Sequence, residues 1–138
     1  MKSYIRKINY YETDQMAVVH HSNYVRYFEE ARTSFLEQIG YPYFKLEEEN
    51  IVSPVISVSC QYKNPVRYGD TIRVDVYLTS MNKVKCSFKY EIINVLTNEL
   101  CALGTSEHCF LTKEGKIVSV LKTNPVFYNR VLEELECE

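Results

Sequence analysis

The hydrophobic period of this chain changes from helical to strand spacing after the first third of its length. Tyr24, Tyr27, Phe28, Ala31, Phe35 and Ile39 are spaced by three and four, with Arg26, Glu29, Arg32, Thr33 and Glu37 between them. Such spacing collects the apolar side chains on one face and predicts an amphipathic helix of about four turns. Ser22 or Asn23 is placed to cap its first turn, and Gly40 followed by Pro42 stops it. Beyond a loop the period becomes two. Ile56, Val58, Cys60 and Tyr62 alternate with polar residues, as do Ile72, Val74, Val76 and Leu78, and then Val84, Cys86, Phe88, Tyr90 and Ile92. Each run predicts a strand with one apolar face.

Thr97-Asn98 turns the chain into a further strand over about 99–111, where Ala102 and Gly104 leave room for close packing. Lys113-Glu114-Gly115-Lys116 reads as a hairpin turn, with Ile117 to Leu121 returning as a short edge strand. Asn124-Pro125 has the cap-then-proline form of a helix start, and Phe127, Val131, Leu132 and Leu135 form the stripe of a terminal helix. Residues 3 to 10 make an opening strand. The class is α+β in a single domain, 1–138, with a long helix packed into one curved face of an antiparallel sheet. The other face is left to solvent or to a second subunit, and Tyr77, Cys101 and Leu103 at non-core positions favour the subunit.

Composition narrows the functions open to such a domain. A length of 138 residues suits one core, and a net charge of −2 excludes a general nucleic-acid binder, which needs a basic excess. No apolar run approaches the roughly 20 residues that span a bilayer, so membrane insertion is not expected, and the first residues lack a signal peptide's apolar stretch. A cytoplasmic location follows as the expectation. Cys60, Cys86, Cys101, Cys109 and Cys137 are odd in number with no C-x-x-C pair, which reads as free thiols. The 12 Tyr against no Trp suit half-buried sheet faces and subunit contacts, where the hydroxyl end stays wet.

Residues 10 to 23, Y-Y-E-T-D-Q-M-A-V-V-H-H-S-N, feed the start of the long helix. A helix N-terminus presents unpaired N–H groups and partial positive charge, suited to a carbonyl oxygen that becomes an oxyanion. Asp14 stands where a carboxylate can act as nucleophile or as base for water, although an Asp before a helix is more often a turn residue. His20 and His21 are read as structural side chains. A metal site from His20, His21 and His108 lacks carboxylates in order, so no metal is expected.

Residues 10 to 32 resemble the signature of the 4-hydroxybenzoyl-CoA thioesterase family, especially its bacterial short-chain acyl-CoA branch. Asp14, Val19, His21, Tyr24, Tyr27, Phe28, Glu29, Ala31 and Arg32 fall in its register, and Asn64-Pro-Val-Arg-Tyr-Gly-Asp70 is similar to a bend the family places before a strand. The resemblance implies a hotdog fold: a long central helix wrapped by a five- to six-stranded antiparallel sheet. It implies a homodimer or homotetramer with active sites at the subunit interface. The reaction implied is hydrolysis of acyl-CoA to a carboxylic acid and CoA, with no cofactor, since CoA is part of the substrate. Asp14 corresponds to the catalytic carboxylate, and the backbone N–H at His21 to the donor that polarises the thioester carbonyl. Substrate-binding positions are Tyr24, then Val52 and Ile56 across the interface, with Arg67, Lys83 and Lys85 for the CoA phosphates. Many relatives have Gly where this chain has Ala17, and a positive φ there would strain the loop by about 1 kcal/mol. Two other readings stay open: a hotdog hydratase or dehydratase of enoyl or hydroxyacyl thioesters, and a non-catalytic CoA-binding scaffold.

Overall fold

A computed structural model describes residues 2–136. Strand β1 spans Tyr4–Lys7 and a single 3-10 turn spans Tyr10–Glu12. Helix α1 then runs Ser22–Gln38, α2 Tyr43–Glu48, β2 Val55–Tyr62, β3 Thr71–Met81, β4 Lys85–Asn94, β5 Leu100–Cys109, α3 Val120–Thr123 and α4 Pro125–Glu136. The strands form one antiparallel sheet in the order β1-β3-β4-β5-β2. Cys137 lies outside the described residues.

The helix and the sheet meet where the two periods foresaw. Tyr24, Tyr27, Phe28, Ala31 and Phe35 are buried on α1, against Ile72, Val74 and Leu78 of β3 and Cys86, Phe88, Tyr90 and Ile92 of β4. Phe28 stacks on Tyr90 with ring centroids 4.5 Å apart, and Phe35 meets Phe88 edge-on at 5.3 Å. Gly104 on β5 makes this approach possible: a Cβ there would sit 2.3 Å from the Phe28 ring. The sheet therefore wraps α1, as the hotdog arrangement requires. At the other end of the chain, Asn124 Oδ1 accepts the Phe127 N–H at 3.0 Å, so the cap-then-proline reading of α4 holds.

Four expectations need correction. Neither Ser22 nor Asn23 caps α1: His21 takes the N-cap position, Ser22 N–H donates to His20 Nδ1 at 3.2 Å, and Asn23 turns inward. Residues 117–121 are not a strand; Ile117 makes one isolated bridge to Leu111, and Val120 already begins α3. Cys101 is 1% exposed. The β4–β5 register shifts between Ile92 and Ile93, and the extra residue this inserts is Cys101, turned into the core. Finally, the apolar face of β2 is not covered. Val58, Cys60 and Tyr62 stand opposite Ser106, Gly104 and Ala102 and so share the helix side of the sheet. Yet Val55, Ile56, Val58 and Tyr62 are each more than 40% exposed, because β2 is an edge strand and α1 reaches only its Tyr62 end.

Candidate active site at the start of the long helix

The segment before α1 folds back on itself. Thr13 bridges Val19, Asp14 N–H donates to Val18 O at 2.8 Å, and Ala17 N–H returns to Asp14 O at 3.0 Å. Asp14 Oδ1 accepts the Met16 N–H at 2.8 Å, which fixes the carboxylate on the turn. Among the described residues no donor is bonded to Oδ2. Val19 N–H to Val66 O at 2.7 Å and a Val18–Arg67 bridge tie the far arm of the turn to the bend after β2.

This turn closes only if Ala17 adopts φ of +63°, the left-handed region that a Cβ disfavours. The strain foreseen from sequence is therefore present. Ala17→Gly is expected to stabilise the protein by about 1 kcal/mol, raising Tm by about 3 °C in calorimetry. An unchanged or lower Tm would show that the strain is relieved elsewhere.

Beneath the turn lies a polar clamp that sequence reading missed. Glu12 is 6% exposed and receives both oxygens' worth of Arg6 Nη1, at 2.7 and 2.9 Å, together with the Asn9 N–H at 2.8 Å. Burial pushes its carboxyl up, but the Arg6 guanidinium and the Asn9 N–H outweigh burial and hold it below the usual range. Arg6 also pairs with Glu30 of α1 at 3.0 Å and lies 4.5 Å over the Tyr27 ring. The Glu12 carbonyl accepts from His20 N–H and from Asn23 Nδ2, each at 2.9 Å. One residue thus ties β1 and the turn to the start of α1. The N-x-x-E spacing from Asn9 to Glu12 was the available signal.

At the helix start, Asn23 and Tyr24 N–H groups bond back to His20 O and His21 O. The His21 N–H has no acceptor among the described residues, so it remains a donor at the positive end of α1. The two imidazoles lie on the surface with ring centroids 4.2 Å apart and planes tilted by 30°, and His20 Nδ1 is 2.8 Å from Ser22 Oγ. A cleft of about 320 Å³ brings together Asp14, His21, Tyr24, Tyr62 and Pro65. Tyr24 is buried, edge-on to Tyr62 at 4.9 Å, and burial followed by the nearby Cys101 and Cys60 thiols pushes its phenol up to about 12. It serves as a neutral wall. A carboxylate with one oxygen free among the described residues, in a cleft that the start of a helix also lines, is able to attack, or to direct water at, a carbonyl whose oxygen accepts from a helix-start N–H.

The remaining sequence-read residues divide by position. Arg67 is exposed on the bend that anchors the Asp14 turn. Val52, Ile56, Lys83 and Lys85 are not brought to Asp14 within one chain. Lys85 pairs with Cys109, whereas Tyr62, which lines the cleft, pairs with Ala102 and so lies level with Ile92. At about 3.3 Å per strand residue that separation is roughly 23 Å. His108 lies at that same distant end of β5, away from His20 and His21.

Comparison with known proteins bears on this geometry. A model of the thioesterase-like superfamily matches residues 8–134. A protein of Aquifex aeolicus provisionally named an esterase is 38% identical over 119 residues, covering 86% of this chain and 91% of that protein. A Bacillus subtilis protein provisionally named acyl-CoA thioesterase YneP is 35% identical over 109 residues, 79% of this chain and 78% of its own. Among solved structures, a DHNA-CoA thioesterase from Staphylococcus aureus superposes with a TM-score of 0.91 at 26% identity, covering 96% of this chain and 89% of that one.

Proposed function

The chain belongs to the thioesterase-like superfamily, and from that premise we propose that it is an acyl-CoA thioesterase of the 4-hydroxybenzoyl-CoA thioesterase type. It releases a carboxylic acid and CoA without a cofactor, in the hotdog fold. The observation that carries the reading is that one cleft is lined both by Asp14, whose Oδ2 has no donor among the described residues, and by His21 at the start of α1. The thioester carbonyl accepts from that N–H. Either Asp14 Oδ2 attacks the carbonyl carbon and the C–S bond breaks to a mixed anhydride that water opens, or Asp14 takes a proton from water as the hydroxide attacks. In both routes the CoA thiolate leaves and is protonated by solvent. The relatives named for thioesterase activity support hydrolysis over hydration.

The working unit is a pair of copies. β2 offers an unpaired edge flanked by exposed Val55, Ile56, Val58 and Tyr62, the kind of edge that proteins otherwise blunt with charge. Antiparallel pairing of two such edges about a two-fold axis buries them and joins two sheets into one. It also carries Val52, Ile56, Lys83 and Lys85 of the second copy to the Asp14 end of the first, which one chain by itself does not do. Val58→Lys is expected to shift the protein from dimer or larger to monomer in sedimentation and to cost at least about tenfold in activity. A monomeric wild type would remove this arrangement. Among the described residues no helix is long and apolar enough to cross a membrane.

The direct test is a panel of short, medium, long and aromatic acyl-CoA thioesters with thiol detection, including crotonyl-CoA. CoA release is the expected result. Water addition to crotonyl-CoA without CoA release would mean a hydratase; no turnover on the whole panel with retained CoA binding in calorimetry would mean a scaffold.

A further inference from the structure

A second cavity, of about 280 Å³, lies between α1, β4, β5 and α4, walled by Phe35, Leu46, Phe88, Phe110 and Phe127 and reaching the exposed Val55. That is close to twice the roughly 150 Å³ that holds benzene in an apolar core, so a medium-length or ring-bearing acyl group fits. Arg32 also lines it. Arg32 Nη1 donates to the Tyr90 hydroxyl at 3.1 Å; that hydroxyl is 2.6 Å from Ser106 Oγ, which is 2.7 Å from His108 Nε2. Arginine only donates. The His108 ring bonds the Ser53 backbone with its other nitrogen, so with the proton there Nε2 accepts from Ser106 and Ser106 in turn accepts from Tyr90. Burial, and then the Arg32 charge, push His108 down to about 4, so it stays neutral.

Every member of this chain is satisfied, and none of them neutralises Arg32. Among the described residues no carboxylate lies within ion-pair distance of it; Glu29 lines the same cavity but is exposed. A half-buried guanidinium with no carboxylate partner, lining a cavity that is largely aromatic and aliphatic, is well matched by an oxygen acceptor arriving with a ligand. We propose that this cavity receives the substrate's acyl group and that Arg32 selects acyl groups bearing an acceptor oxygen, carboxylate or hydroxyl, at the end remote from the thioester. This rests on the thioesterase reading and on pairing through β2: the Val55 end of β2 meets the Tyr62 end of the second copy, and so that copy's Asp14.

The test compares hexanoyl-CoA with 6-hydroxyhexanoyl-CoA and adipoyl-CoA. Wild type is expected to favour at least one oxygenated substrate by about tenfold or more in kcat/KM, and Arg32→Met to bring the ratio within about twofold of one. The ratio is the readout, so a general loss of activity does not imitate it, and which oxygenated substrate leads separates carboxylate from hydroxyl. Equal rates for the three in wild type, or an unchanged ratio in Arg32→Met, overturns the proposal. If Arg32→Met does not fold, Leu36→Phe, which fills the cavity from its half-buried rim, must lower turnover of all three relative to acetyl-CoA; an unchanged order would equally overturn it. If no thioester is cleaved, the thioesterase reading fails by itself. The cavity is then judged by calorimetry with thioether analogues of the same three, whose affinities must keep the expected order.

Discussion

Asp14→Asn is expected to lower kcat/KM for thioester hydrolysis by about 10²–10⁴-fold while the protein stays folded. Asn keeps the shape of the side chain, and its carbonyl oxygen can still accept the Met16 N–H that holds the turn. What is lost is the charge: an amide neither attacks a carbonyl at neutral pH nor takes a proton from water. The stability change should stay within about 0.5 kcal/mol, because Asp14 is half-exposed and makes no ion pair among the described residues. A variant within a few-fold of wild type would remove Asp14 from the chemistry. A single turnover in ¹⁸O water then tests attack by the side chain: label found in the Asp14 carboxylate requires a mixed anhydride opened at its Asp14 carbonyl, whereas label found in the product acid alone fits activated water and opening of the anhydride at the acyl carbonyl alike.

The second large effect is on stability. Gly104→Ala is expected to cost about 1–3 kcal/mol, the range for forcing a methyl into a packed core. The added Cβ meets two Phe28 ring atoms at 2.3 and 2.4 Å and the Ser59 carbonyl oxygen at 3.1 Å. Phe28 has nowhere to withdraw, since it is fully buried and stacked on Tyr90. Denaturant unfolding should therefore show a lower midpoint at unchanged slope. Adding Phe28→Leu removes the clashing ring edge, so the double variant is expected to be less destabilised than the two single costs added together. Simple additivity would show that the helix, and not the ring, absorbs the methyl.

The helix and the central strands were legible because each depends on local pattern, whereas Asp14 was singled out by the resemblance, its place before a helix being by itself a weak signal. A period of three and four, a period of two, and a turn before a helix are properties of neighbours in sequence, and burial of the matching face followed. Ala17 was singled out by the resemblance, because relatives carry Gly at that place, and its φ of +63° bears out the strain expected there. The Glu12 clamp was not legible in the same way. Its worth comes from Arg6 on one strand and Glu30 and Asn23 on the helix, partners that only folding brings together. Cys101 escaped for another reason, since a one-residue bulge takes it out of the alternation that Ala102 and Gly104 keep.

β2 shows the boundary most sharply. Alternation placed Val58 and Tyr62 on the correct side of the sheet, because pleating alone decides side. Whether that side is covered depends on where the strand lies in the sheet, and the order β1-β3-β4-β5-β2 sets it at the edge, beyond the body of α1. By itself the sequence determined the elements, the apolar faces and the turn that carries Asp14, all fixed by sterics and burial over a few residues. Tertiary structure alone decided which faces stay open and how far Lys85 lies from Asp14. It also decided that Arg32 meets an apolar cavity, since neighbours distant in sequence are chosen by packing and not by pattern.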